Sequence, residues 1–343
     1  MTKPQTPADA IPGGAIPGGA IPGGAAAFLA DAGWGDARID PLPGDASFRR
    51  YFRVSGAAGA AMLMHAPPPH EDPGPFIRAA RWLDQNAMRA PVIHAEDAAQ
   101  GFVLIEDFGD VRMREYVDAW PQDADEVYRA AIDALVGLHK LPAGPFTSYS
   151  LAEYLRETRL FIEWYCPAQR LYVDAKGWEA AWEEVLVQLL PRQRPGVTVL
   201  RDYHAENIML LGGTDKQGLL DFQDALTGHP AYDLVSLLQD ARRDVGEGLE
   251  SAMFDHYVSQ ARPGPEFFDD YARLGAQRNA KIVGIFVRLW NRDGKPRYLD
   301  YIPRVWNLME RDLAHPVLEP VARWFDANIP TELRASGGGM FSS

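Results

Sequence analysis

The apolar positions of the chain shift from mainly strand-like to mainly helical spacing near residue 110, and that shift predicts its organisation. SFRRYFRV (47–54) and AAMLMHAP (60–67) read as two strands joined by the small-residue turn SGAAGA, and three prolines at 67–69 end the second. PVIHAED (91–97) and GFVLIEDFGD (101–110) read as two more strands. Between the pairs, FIRAARWLDQNAM places Phe76, Ile77, Ala80 and Leu83 at helical spacing. AAAFLADAGW predicts a short helix ahead of the strands, and PLPGD a turn.

Beyond residue 110 the period is helical. DEVYRAAIDALVGLHKLP repeats apolar residues at Val127, Ala130, Ala131, Ala134, Leu135 and Leu138, and Pro142 stops it. LAEYLRETRLFIEWY, WEAAWEEVLVQLL, YDLVSLLQDARRDV, LESAMFDHYVSQA, residues 265–290, YIPRVWNLMERDL and LEPVARWFDAN are further expected helices. The expected division is a small strand-rich lobe over 26–110 and a larger, mainly helical lobe over 111–332, with a loose tail at 333–343. Residues 1–25 end in three copies of IPGGA. Proline lacks a backbone donor and glycine adds chain entropy, so a disordered tail is expected there.

One stretch interrupts the helical region. LRDYHAENIMLLGGTDKQGLLDFQD (200–224) holds Asp202, Asn207 five residues later, an apolar run, a Gly-rich turn, a second apolar run and Asp221. Phosphoryl transfer of the protein-kinase type needs these parts: a carboxylate for the acceptor hydroxyl, then Asn and Asp ligands for Mg²⁺. Asp and Asn five apart are common as loop formers, so the first half alone is a weak signal. Asp221, closing an apolar strand 14 residues after Asn207, makes the combination specific.

Composition narrows the class. A length of 343 residues exceeds one typical core, and 47% hydrophobic with 11% aromatic residues supports a well-buried protein. A formal charge of −13 argues against a nucleic-acid partner. The single cysteine, Cys166, reads as a buried small hydrophobe and fits a reducing cytoplasm. No apolar run approaches the roughly 20 residues that span a bilayer, so no membrane partner is expected. GxxxxGK[ST], HExxH, GxSxG and CxxC elements are all missing.

The stretch at 200–224 resembles the catalytic core of the aminoglycoside phosphotransferase and choline kinase-like superfamily, small-molecule relatives of protein kinases. The matches are Asp202, Asn207, Leu220-Asp221-Phe222 and Tyr232-Asp233-Leu234. Leu200 stands where the family has histidine, and Arg201 where glycine is common. The blocks DASFRRYFRV, MLMHAPP, FIRAARWL, GFVLIEDFGD, LRDYHAEN, DFQDALTGHPAYDLVSLLQDA and RLWNRDGKPRYLDYIPRVW together are similar to the bacterial anomeric kinases of N-acetylmuramate and N-acetylglucosamine, over roughly residues 28–330.

The resemblance implies a two-lobed protein-kinase-like α+β fold with ATP and an amino sugar as substrates. It implies Asp202 as base and Asn207 and Asp221 as Mg²⁺ ligands. Gly44, Ser47, Phe48, Arg49 and Arg53 would cover the ATP phosphates, and backbone groups near Glu106 and Phe108 would meet the adenine. No lysine occurs between Lys3 and Lys140, so the lysine that usually holds the phosphates is missing, and Arg49, Arg50 or Arg53 could replace it. For the acceptor, Arg201, His204, Glu206, Asp224 and Arg292 are candidates, the last in a basic cluster with Lys295 and Arg297. Trp164, Tyr165, Trp178 and Trp182 read as core more readily than as a stacking platform. Asp233 reads as a carboxylate steadying the loop through backbone N–H groups, and His139 as a packed residue. An amino-alcohol or aminoglycoside acceptor is the alternative within the fold; a nucleotide-binding pseudokinase is the alternative outside catalysis.

Overall fold

The computed structural model describes residues 20–43, 49–57 and 59–341. These divide into two compact units that are not collinear with the chain. The first runs to Ala130 and takes in Glu206–Asp224; the second holds Ala131–Ala205 and everything from Ala225.

In the first unit, α1 (Ala25–Asp31) precedes the strands β1 (Arg38–Pro41), β2 (Arg50–Gly56) and β3 (Gly59–His65). Then come α2 (Gly74–Gln85), β4 (Ile93–Asp97), β5 (Phe102–Glu106), α3 (Met113–Ala119) and α4 (Ala124–Lys140), within which the division falls. The five strands form one sheet in the order β1-β2-β3-β5-β4, every pairing antiparallel. Register sets Phe52 opposite Leu63 and Leu63 opposite Leu104, so period-2 alternation gathers Phe52, Val54, Ala61, Leu63, Phe102 and Leu104 on one face. Phe28 and Leu29 of α1 close that face. Each of the Phe, Val and Leu side chains contributes about 1.5–3 kcal/mol by leaving water.

The strands and α2 expected from the pattern are present, and two elements beyond it appear. β1 has one apolar residue that pairs inward, Ile39 opposite Val54, too little alternation to be read as a strand. α3 is two turns long and buries only Met113 and Val117. The first two IPGGA copies lie, but for Ala20, outside the described residues. The third, 21–25, is built into the unit: Pro22 O accepts from Ala25 N at 3.2 Å, and Ala25 is buried at the start of α1. The hairpin Ile208–Leu210 and Gln217–Leu219 completes the unit.

The second unit is helical except for the antiparallel pair Val197–Val199 and Leu226–Gly228. Its helices are α5 (Leu151–Leu160), α6 (Cys166–Ala168), α7 (Ala175–Leu186), α8 (Ala231–Leu238), α9 (Glu247–Ala261), α10 (Phe267–Asn291), α11 (Ile302–Leu313), α12 (Glu319–Asn328) and α13 (Thr331–Ala335). Ser150 Oγ accepts from Glu153 N to start α5, and the Asp174 carboxylate accepts from Lys176 N and Gly177 N to start α7. A π-turn, Phe161–Tyr165, joins α5 to α6.

α10 is the hub, packing against α5, α8 and α11. Its approach to α5 depends on Gly284: a Cβ there would sit 2.3 Å from the carbonyl carbon of Leu160. Tyr165, Trp178 and Trp182 are fully buried core, as read from their spacing, and so is Cys166, whose thiol burial pushes up to about 12. The C-terminal stretch is packed where a loose tail was expected. Gly338 O accepts from Tyr165 Oη at 3.0 Å and Gln169 Nε2 at 3.1 Å, and Phe341 meets the rings of Tyr165 and Trp290. Among the described residues, no helix is long and apolar enough to cross a membrane.

Candidate active site

Two non-glycine residues of the 200–224 stretch hold left-handed backbone: Arg201 at φ 71° and Asp221 at φ 57°. Such conformations cost on the order of 1–3 kcal/mol and persist where surrounding contacts impose them. The contacts differ between the two units.

In the second unit, the Asp233 carboxylate accepts from Leu200 N at 2.6 Å and Arg201 N at 2.8 Å. It is wholly buried at the start of α8, which pushes its pKa up to about 7 against the pull of those two donors. Ser236 Oγ donates to Arg201 O at 3.2 Å. The backbone just ahead of Asp202 is therefore clamped from both sides, the loop-steadying role read for Asp233. Where the sequence resemblance puts glycine, the chain does need positive φ, and it meets that need with an arginine.

The Arg201 side chain explains how. Its guanidinium donates to Glu157 of α5, a carboxylate only 1% exposed. Glu157 also accepts from Lys281 Nζ at 2.9 Å, from Gln277 Nε2 at 3.0 Å and from the Tyr149 hydroxyl. Lys281 Nζ reaches Tyr232 Oη at 3.0 Å as well. Burial alone would raise Glu157, but the charges of Lys281 and Arg201 hold it down at about 2. Burial opposes protonation of Arg201 and Lys281, and Glu157, with smaller contributions from Tyr232 and Asp202, outweighs it. Glu157, Gln277 and Lys281 lie far from the motif in sequence, and only the α5–α10 packing brings them beneath it.

His204 is 3% exposed with Nε2 3.1 Å from Arg242 Nη1, an interior position. Arg292 is exposed and forked onto Asp293 at 2.7 and 2.9 Å. His139 is the packed residue expected: Nδ1 lies 2.8 Å from Tyr257 Oη, and burial drops its pKa to about 3.

In the first unit, the hairpin at 208–219 brings Asn207 beside Asp221, Nδ2 to Oδ2 at 3.4 Å. Gln223 Nε2 donates to Asp221 Oδ1 at 2.7 Å and lies 3.5 Å from Asp224 Oδ2. Phe222 is buried and stacks on Phe76 of α2 at 5.1 Å, anchoring the exposed Asp221. Asn207 and Asp221 thus present adjoining amide and carboxylate groups. Such hard oxygen donors, few in number, suit Mg²⁺, which takes one or two protein ligands and leaves the remaining positions to phosphate and water.

A cavity of about 180 Å³ is lined by Arg49, Met64, Glu71, Pro73, Phe76, Asp224 and Gln223, the last of which bonds Asp221. Arg49 Nε is 3.8 Å from Glu71 Oε2. Burial pushes the neighbouring Tyr51 phenol up; Arg49 opposes this and the charge of Asp221 adds to it. The other two arginines also have partners. Arg53 pairs with Asp107 and Asp110, each at 2.7 Å, and Arg50 donates to Ala20 O and contacts His65 Nδ1. Glu106 is held by Arg89, whose guanidinium also lies over the Phe108 ring at 4.7 Å. That ring covers Gly218, where a Cβ would come within 2.5 Å of it. Glu206 pairs with Arg114. Gly44, Ser47 and Phe48 lie outside the described residues.

A phosphotransferase enzyme family (APH) matches residues 38–273, and the chain belongs to it. It is an ATP-dependent kinase acting on an alcohol group, with a protein-kinase-like fold. An N-acetylmuramate/N-acetylglucosamine kinase from Caulobacter vibrioides is 35% identical, spanning 90% of this chain and 97% of that one. A protein of the same description from Pseudomonas aeruginosa is 39% identical over 84% of this chain and 88% of its own. Among solved structures, a choline/ethanolamine kinase family protein from Mesorhizobium loti superposes with a TM-score of 0.58 at 15% identity. That match covers 85% of this chain and 93% of the other, a likeness of fold.

Proposed function

We propose that this protein phosphorylates the anomeric hydroxyl of N-acetylmuramate and/or N-acetylglucosamine with ATP, in the cytoplasm. The 1-phosphate would feed UDP-sugar synthesis in peptidoglycan recycling. The observation that carries this reading is the match, at 35–39% identity and over nearly their whole length, to kinases described as acting on these two sugars. Residues 26–110 would cover the nucleotide and 111–332 supply catalysis and acceptor binding.

Asp202 orients the sugar O1 hydroxyl and accepts its proton as the γ-phosphoryl moves. An anomeric hydroxyl is more acidic than an ordinary alcohol, so a carboxylate suffices as base. Asn207 and Asp221 would hold Mg²⁺, which when bound neutralises charge on the phosphates. The clamped backbone at Leu200–Arg201 fixes the direction of Asp202 and removes a search through conformations at the moment of transfer.

Arg49, which lines the cavity together with Asp224 and lies 3.8 Å from Glu71, takes the place of the missing lysine at the phosphates. Arg49→Met is expected to lower kcat/KM for ATP by about tenfold to a hundredfold, the worth of a hydrogen bond to a charged group. Titrating ATP at saturating sugar measures this; an unchanged value removes Arg49 from the phosphate site.

The function is tested by a coupled ADP-release assay over a panel of amino sugars, amino alcohols and aminoglycosides, with ³¹P and ¹H NMR of the product. An acid-labile sugar 1-phosphate is expected. Phosphate on another hydroxyl, or turnover only with a non-sugar alcohol, would overturn the reading.

A further inference from the structure

The two sugars named for the relatives differ by one group, a lactyl ether that gives N-acetylmuramate a carboxylate. A protein with formal charge −13 that accepts such a substrate needs a local concentration of cations where the carboxylate falls. The face of α10 turned toward α5 provides one.

Three successive turns of α10 meet α5 on one face. Gln277 Nε2 reaches Tyr154 O at 3.4 Å, Lys281 Nζ reaches Glu157, and Gly284 abuts Leu160. Arg288 follows one turn later on the same face, seven residues after Lys281. Lys281 is spent on Glu157 and Tyr232, Arg156 is forked onto Glu153, and Arg292 onto Asp293. Arg288 is different. It is half-buried, its Nε is shielded from solvent without a hydrogen-bond partner, and among the described residues nothing forms an ion pair with it.

Its surroundings are also unfavourable to its own charge. Burial lowers the Arg288 pKa, and the like charges of Arg292 and Arg156 lower it further against the opposing pull of Asp293. An unpaired guanidinium crowded by two other arginines is stabilised when an anion arrives. A planar carboxylate fits its fork of parallel donors. The location suits the acceptor: Arg288 shares a helix face with Lys281, and Lys281 bonds Glu157, the carboxylate that anchors Arg201 next to Asp202.

We propose that Arg288, flanked by Arg156 and Arg292, is the acceptor-carboxylate subsite and binds the lactyl carboxylate of N-acetylmuramate. It is a specificity residue: it recognises one substituent and takes no part in phosphoryl transfer. This assignment rests on the sugar-kinase reading above and shifts the recognition of a charged acceptor from Arg292, whose charge Asp293 already answers, to Arg288.

The experiment compares kcat/KM for both sugars in the wild type, Arg288→Met and Arg288→Lys. Arg288→Met should lose about ten- to a hundredfold on N-acetylmuramate and stay within about twofold on N-acetylglucosamine. Arg288→Lys, which keeps the charge but not the fork, should fall between on N-acetylmuramate. Equal losses on both sugars in whichever variant folds, or no loss on either, would overturn the subsite while leaving the sugar-kinase reading intact. A wild type that uses N-acetylglucosamine but not N-acetylmuramate overturns it too. A wild type that uses neither sugar sinks the sugar-kinase reading, and the subsite with it.

Discussion

Asp202→Asn is expected to lose about a thousandfold in kcat while binding nucleotide with nearly wild-type affinity. The amide keeps the size of the carboxylate and its power to accept a hydrogen bond from the sugar, but it cannot take the proton. General-base assistance is worth about a hundredfold to ten-thousandfold, and the acidity of an anomeric hydroxyl keeps the loss from the upper end. The loop itself should persist, because its fixed points are Asp233 on Leu200 N and Arg201 N and Ser236 on Arg201 O, none of which involves the Asp202 side chain. Coupled-assay kcat together with calorimetric titration of ATP separates the two quantities. Turnover close to wild type would remove Asp202 from the chemistry, and lost nucleotide binding would recast it as structural.

Glu157→Gln is expected to destabilise the second unit by about 3 kcal/mol. Glu157 is the shared anion of Arg201 and Lys281, whose side chains are 16% and 12% exposed. Replacing it strands two buried cations, which costs far more than the attraction lost. The acid dependence carries the sign. Glu157 sits at about 2 in the folded protein against an ordinary 4.5, so its contribution is complete above about pH 4.5 and is lost as pH falls toward 2. The stability gap between wild type and variant, from urea unfolding, should therefore be widest near neutral pH and narrow below about pH 4.5. A gap that does not depend on pH would mean that Glu157 acts by shape alone. Adding Lys281→Met to the Gln variant should restore part of the loss, since it removes one stranded charge.

The candidate catalytic stretch could be nominated because its parts are close in sequence. Asp202, Asn207 and Asp221 are spaced by one loop and one hairpin, and the hairpin's two apolar runs are visible as such, so short-range pattern was enough to nominate them. The family also followed, because the blocks that carry it lie along the chain in order, and the phosphotransferase match over 38–273 bears it out. The central strands and long helices were readable for the same reason: alternation and 3.6 periodicity are properties of neighbouring residues.

What had no local signature was decided by packing. β1 exists because β2 offers it an edge, not because RIDP alternates. The C-terminal stretch is ordered because Tyr165 and Gln169 meet the carbonyl of Gly338. Leu200 and Arg201 looked like defects in the motif. In the folded chain Arg201 takes positive φ and is anchored by Glu157, 44 residues earlier, while Lys281, 80 residues later, shares that carboxylate. No window of sequence holds those three together. Sequence by itself determined which residues could do chemistry, since that depends on side-chain type and near spacing. Tertiary structure alone decided where each charge is placed: Arg53 paired with Asp107 and Asp110, Arg49 beside Glu71 at a cavity, Arg292 paired with Asp293, and Arg288 without an ion pair among the described residues. Whether a cation is available depends on which carboxylate packing places beside it.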